Sequence, residues 1–201
     1  MERISTAQES LARLDARIAA LSDQRHKAWL TTYRNHFWGE VTNDVEAVMA
    51  TMSPGPIQYS FGGHPFMNDG GTMAQIRTWQ DTKAMYDGVV SMNVRMAGPF
   101  DEERVFFDEH GLSFHAILSA IYPGVFLASY DDKIDAEGLY IIRWLNVTTL
   151  RFDKDGLMMG EDILNGAPIL VQQVPIDRVN MLIDGPIDLT EMKQADKDVT
   201  P

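Results

Sequence analysis

His36 and Glu40 lie four residues apart in a segment, from about Asp23 to Thr42, that reads as a helix. At that spacing two side chains share a face and can touch. A carboxylate beside an imidazole orients the ring and raises its pKa, which suits a group that exchanges protons near neutral pH. By pattern alone, such a pair is more often a solvated ion pair on an exposed helix face. Glu161 is the next candidate, within Leu157-Met158-Met159-Gly160-Glu161-Asp162-Ile163-Leu164. A carboxylate enclosed by apolar groups holds its proton to higher pH and can serve as acid or base. Strand alternation sends one of Glu161 and Asp162 to water, so only one of the two can fill that role.

Other chemistries find little support. There is no cysteine, which removes thiolate catalysis, disulfides and thiolate-bound zinc. The five histidines are scattered. His110 and His115, five apart, do not have a metal-ligand spacing, and no metal site is expected. Gly62-Gly63 and Gly70-Gly71 lack the lysine and the strand–loop–helix setting of a phosphate loop and read as turns. A formal charge of -12 argues against nucleic acid, which requires a basic footprint, and against an anionic membrane surface. No apolar run approaches the roughly 20 residues of a membrane span. Met1-Glu2-Arg3-Ile4-Ser5 has no signal-peptide core. The expectation is a cytoplasmic protein.

The elements that must position these groups can be read along the chain. Ile4, Ala7, Leu11, Leu14, Ile18 and Leu21 make one apolar stripe on an N-terminal helix, to be buried on the domain or against a second subunit. Asn43 or Asp44 can cap a third helix, Val45 to Met52, which Ser53-Pro54-Gly55-Pro56 stops. Ile57–Phe61 reads as a short strand. His64-Pro65 and Asn68-Asp69-Gly70-Gly71 read as turns, followed by a helix from Thr72 to Tyr86. Val89–Met96, Arg104–Asp108, Leu112–Ile121, Leu139–Phe152 and Leu157–Leu164 read as strands. Helices first and a strand meander afterwards predict an α+β fold. The predicted divisions are an N-terminal helical extension over 1–22, a main domain over 23–174 and a C-terminal tail over 175–201. The tail should be extended and pack on the domain or a neighbour. Twelve methionines are plentiful. Met49, Met52, Met67, Met73, Met85, Met92 and Met96 suit core filling or a soft pocket lining.

Two stretches sharpen the fold. His36-Phe37-Trp38-Gly39-Glu40-Val41-Thr42-Asn43-Asp44-Val45-Glu46-Ala47-Val48 resembles the paired opening helices of the NTF2-like (SnoaL-like) superfamily. Val147-Thr148-Thr149-Leu150-Arg151-Phe152-Asp153-Lys154-Asp155-Gly156-Leu157-Met158 resembles its closing hairpin. The resemblance covers about residues 25–173. It implies a cone, a curved mixed or antiparallel sheet wrapped around helices, here with an extra N-terminal helix. The superfamily includes isomerases, dehydratases, polyketide cyclases, diarylpropane lyases and non-catalytic binders, so fold does not settle function. Its enzymes share a cofactor-free acid/base site at the bottom of the cone.

Anchored on those motifs, the resemblance places His36 where the ketosteroid isomerases carry an oxyanion-binding tyrosine, with Glu40 one turn on. It turns Trp144, Asn146 and Thr148 inward on one strand and Glu161, Ile163 and Asn165 inward on the last. Tyr59 or Ser60 stands where those isomerases carry the shuttle aspartate, and Trp79 near a pocket tyrosine. Neither acidic residue of the isomerase mechanism is present at its position. Tyr33, Tyr59, Trp79 and Trp144 would form aromatic walls, although core packing explains any one of them. Arg143, on the face opposite Trp144, should meet an acid or a subunit interface. His115 should face outward, with Phe114 and Ala116 inward.

The expectation is a cofactor-independent lyase for a small hydroxylated aromatic or polycyclic molecule, acting by dehydration or retro-aldol C–C cleavage such as diarylpropane deformylation. His36, Glu40 and Glu161 would handle protons. Tyr33, Tyr59, Trp79, Trp144, Asn146, Thr148 and Asn165 would bind substrate, with no metal. The alternatives are a cyclase or isomerase of the same fold and a non-catalytic ligand carrier. A homodimer or higher homo-oligomer is expected.

Overall fold

A computed structural model describes residues 3–63, 74–95, 98–129, 131–184 and 187–188. Strand β1 is Arg3–Ile4, followed by helices α1 (Ala7–Ala20), α2 (Gln24–Thr42) and α3 (Val45–Ala50). Thr6 and Glu9 form a reciprocal capping box on α1, and Asp23 caps α2 by accepting from the Arg25 and His26 amides. Asp44 caps α3 through the Ala47 amide. Then come β2 (Tyr59–Gly62), β3 (Ala74–Ile76), α4 (Trp79–Ser91), β4 (Phe100–Phe107), β5 (Gly111–Pro123), α5 (Gly124–Leu127), β6 (Leu139–Phe152) and β7 (Met158–Val174). A 3-10 turn over Ile176–Arg178, α6 (Met181–Asp184) and β8 (Ile187–Asp188) follow.

The main sheet has the order β3-β2-β7-β6-β5-β4. Among the described strands, only β2 and β7 pair in parallel. Its inner face packs against α2 and α3 through Leu30, Phe37, Val48, Leu112, Phe114, Ile142, Leu150 and Met158, all buried. Each such side chain contributes about 1.5–3 kcal/mol relative to exposure. The α1 stripe buries on its own chain: Ala7 and Leu14 fully, Leu11, Ile18 and Leu21 partly. On the outer face, Ile4, Met181 and Leu182 join Ile121, Leu139, Ile141 and Val174 in a second, smaller core.

Several expectations need correction. The helix predicted from Thr72 begins at Trp79, capped by Thr78, and runs to Ser91. This overturns the strand predicted from Val89, because Val89 lies on the helix's buried stripe with Thr82 and Tyr86. The strand predicted to end at Leu164 runs to Val174. The tail is not simply extended: α6 packs on the outer face of the sheet and β8 pairs with β1. The turns expected at His64-Pro65 and Asn68–Gly71 fall outside the described residues, as do Met67, Met73 and Met96. Met49 and Met52 fill the core. Among the described residues, no helix is long and apolar enough to cross a membrane.

Candidate active site

His36 sits on the stripe of α2 that also buries Trp29, Tyr33 and Phe37, and it is 1% exposed. Its Nε2 lies 3.5 Å from Glu40 Oε1, one turn along the helix, and 3.3 Å from Glu161 Oε1 on β7. Tyr86, from α4, places its hydroxyl 3.0 Å from the same nitrogen and donates to Glu40 Oε1 at 2.8 Å. On the other side of the ring, Nδ1 lies 2.7 Å from Thr51 Oγ1. Four separate elements therefore converge on one imidazole.

Glu161 reaches this point because of a bulge. Met158 faces inward opposite Phe152, and simple alternation from it would turn Asp162 inward. The pairing slips by one residue before Leu150↔Glu161, with Gly160 at φ +108°. A side chain there would be strained in that backbone conformation, and its Cβ would lie 2.0 Å from Gln58 O. The slip puts Glu161, Ile163 and Asn165 on the inner face and leaves Asp162 to pair with Arg151 at 3.2 Å.

These groups border a cavity of about 340 Å³ whose wall includes Tyr33, Phe61, Phe100, Phe114, Trp144 and Ile163. Met92, Val125 and Phe126 border it as well. Glu40 and Glu161 supply its carboxylates, and no lysine or arginine lines it among the described residues. A polar ladder crosses the apolar wall. Trp144 Nε1 and Asn146 Nδ2 both donate to Asn165 Oδ1, at 2.6 and 2.8 Å, and Thr148 Oγ1 donates to Asn146 Oδ1 at 2.8 Å. With its oxygen doubly occupied, Asn165 has its amide N–H groups left for a ligand. Tyr33 adds a buried hydroxyl with no hydrogen-bonding partner among the described residues.

Burial alone would lower the pKa of His36. The Glu40 charge and the ring's hydrogen bonds to both carboxylates outweigh it and push the imidazole up to about 10. Burial also raises the Glu161 carboxyl, with the Glu40 charge adding to the effect and His36 opposing it. Burial likewise holds Tyr33, Tyr59 and Tyr86 well above the ordinary phenol value, so they act as neutral hydroxyls. The donor atoms of His36, Glu40 and Glu161 all lie within 4.8 Å of one another, a set that could also hold a metal ion. Histidine spacing along the chain could not reveal that possibility, since two of the three donors come from one helix and the third from a distant strand.

The structure brings together Tyr33, Glu40, Trp144, Asn146, Thr148, Glu161 and Asn165 on the cavity wall. His36 stands one layer behind it, and the two carboxylates face the cavity in its place. Tyr59 is fully buried behind the wall, its hydroxyl 3.3 Å from that of Tyr86. Trp79, expected in the pocket, sits in the first turn of α4, partly buried against the core and away from the wall. Arg143 pairs with Asp101 at 2.8 Å, and His115 is exposed. Thr51 and Tyr86 were missed. Tyr86 had a readable signal, the 82–86–89 buried spacing of α4, whereas nothing local marks Thr51.

The architecture is an α+β cone: a curved, unclosed mixed sheet with helices over its concave face and a cavity between the layers. No protein-family model matches the chain, and no curated protein matches it in sequence. Solved structures do. A protein described as a SnoaL-like polyketide cyclase from Shewanella denitrificans OS-217 superposes with a TM-score of 0.51 at 12% identity, over 68% of this chain and 89% of that one. A protein described as an NTF2-like dehydratase from Streptomyces avermitilis gives 0.49 at 11% identity, over 73% and 99%. One described as a polyketide cyclase from Xanthomonas campestris gives 0.46 at 8% identity, over 70% and 91%. At this identity the likeness to the Shewanella protein is one of fold, a SnoaL-like cone.

Proposed function

We propose that this protein is a cofactor-independent lyase that acts by acid/base chemistry on an uncharged, hydroxylated aromatic or polycyclic molecule. One observation carries the reading. Two carboxylates on the wall of an apolar cavity both lie within 3.5 Å of the same buried imidazole nitrogen. Ordinary core packing does not bury three titratable groups together beside an enclosed space, because desolvating them is costly unless they are paired.

Glu161 and Glu40 are the groups that meet substrate, and His36 exchanges protons with them from behind. In a dehydration, one carboxylate takes a proton from carbon while the other, protonated, delivers a proton to the departing hydroxyl. In a retro-aldol cleavage, the base takes the hydroxyl proton, the C–C bond breaks to release an aldehyde, and the acid protonates the carbanion. The ladder of Asn146, Thr148 and Asn165, with Tyr33, holds substrate oxygens. The aromatic wall accepts the rings, and the two carboxylates on it disfavour anionic substrates.

The test is a panel of aryl alcohols, β-hydroxy ketones and diarylpropane diols, followed by mass spectrometry. A lyase consumes at least one member with loss of water or of an aldehyde. Glu161→Gln should then lose turnover while still binding that compound. Rearrangement without mass loss would replace the lyase reading with isomerisation or cyclisation. Binding without any conversion would make the protein a carrier.

A further inference from the structure

His36 has two ring nitrogens, and the residues around it treat them differently. Thr51 Oγ1 donates its one hydrogen to Val48 O at 2.6 Å. Toward His36 Nδ1, 2.7 Å away, it can therefore only accept, so Nδ1 must carry a proton. Thr51 is well placed to impose this. It is buried, its carbonyl accepts the Met158 amide at 2.9 Å, and the next turn is tied back through Ser53 N to Met158 O at 2.8 Å. Those bonds anchor it to the start of β7, the strand that carries Glu161.

The other nitrogen faces every group that can exchange a proton with it. Glu40 approaches from α2, Tyr86 from α4 and Glu161 from β7, while Tyr59 on β2 reaches it only through Tyr86. Tyr86 gives its hydroxyl hydrogen to Glu40, so it offers a lone pair to Nε2. A continuous hydrogen-bonded path thus runs from Glu161 Oε1 to His36 Nε2, to the Tyr86 hydroxyl and to Glu40 Oε1, over 3.3, 3.0 and 2.8 Å.

We propose that Thr51 and Tyr86 are positioning residues: Thr51 locks one proton of His36 on Nδ1, so that Nε2 is the ring nitrogen that exchanges protons, and Tyr86 links Nε2 to Glu40. The proposal rests on the acid/base reading of the site. In a dehydration the sequence balances. Nε2 passes its proton to the Tyr86 oxygen as Tyr86 passes its own to Glu40, and Glu40 delivers that proton to the leaving hydroxyl, which departs as water with the C–O electron pair. Glu161 takes the proton from carbon, whose C–H pair becomes the new double bond, and then returns it to Nε2. Because both carboxylates stand on one wall, both transfers occur on the same face of the substrate.

The test uses the resting protein first, so it does not depend on a substrate. In ¹⁵N-histidine NMR, with His36 assigned by its loss in His36→Asn, the ring should show an exchange-protected Nδ1 proton that persists while Nε2 titrates. Thr51→Ser should keep that signal, Thr51→Val should lose it, and Tyr86→Phe should keep it. A neutral wild-type ring protonated on Nε2 overturns the proposal without any variant, and so does a Thr51→Val protein that folds and retains the signal. With a converted compound in hand, Tyr86→Phe should lower kcat at least ten-fold with KM little changed, and an unaltered kcat overturns the Tyr86 half. If the NMR result holds while no compound is consumed, the lyase reading fails and the tautomer lock stands.

Discussion

His36 and Glu161 are 125 positions apart in the chain, yet their side chains lie 3.3 Å from one another, nitrogen to oxygen, across the two layers of the fold. The contact exists because α2 lies in the concavity of the sheet and because one bulge in β7 turns Glu161 toward it. Each group explains the burial of the other. An unpaired imidazolium or carboxylate at this depth would be shed or neutralised.

The pairing makes stability pH-dependent. The folded His36 imidazole is raised from 6.5 to about 10. Folding therefore binds an extra proton between those values, and stability falls as pH rises. The contribution should be complete below about pH 6.5 and gone above about pH 10. The raised carboxyl of Glu161 has the same sign and extends the decline below neutrality. Denaturant midpoints measured from pH 6 to 10 should fall in wild type and flatten in His36→Asn. A rising wild-type profile would contradict the assignment.

Asn165 organises the polar wall, since its Oδ1 accepts from both Trp144 and Asn146. Asn165→Leu removes the oxygen that both donors share and should cost about 1–3 kcal/mol. Thermal unfolding should shift down. Affinity for a hydroxylated ligand should fall about ten-fold, by calorimetry, more than for its deoxy analogue.

Gly160 sets the phase of the strand. Gly160→Ala should cost at least ~2 kcal/mol, because its Cβ would meet Gln58 O at 2.0 Å with the backbone at φ +108°. Glu161 should move from its place with it. A variant with wild-type melting temperature and unchanged His36 resonances would show that the bulge does not hold the site together.

The outer face of β6 and β7 leaves Leu145 and Leu164 exposed, each by more than half. A second copy of the chain packing over these two leucines is the expected cover. Sedimentation should return twice the 22.6 kDa chain mass, and Leu145→Glu should return the chain mass alone. A wild-type monomer would remove the expectation.

Much of this protein was legible in the order of its residues. The α2 span, a cap for α3 at Asn43 or Asp44 and the span of β6 follow from local rules, because caps and periodicities act over a few residues. The same rules put His36 and Glu40 on one face, and anchoring on the closing hairpin turned Trp144, Asn146, Thr148 and Asn165 toward a common interior. Other features were settled by packing between distant segments. Val89, strand-like by type, became helix because it completes the buried stripe of α4, and tertiary burial outweighs β-propensity. That the carboxylates form the wall while His36 stands behind them depends on how far α2 sinks into the sheet. That Thr51 and Tyr86 meet the ring depends on where α3 and α4 close over it. Such meetings are contacts between surfaces, and no short-range pattern along the chain encodes them.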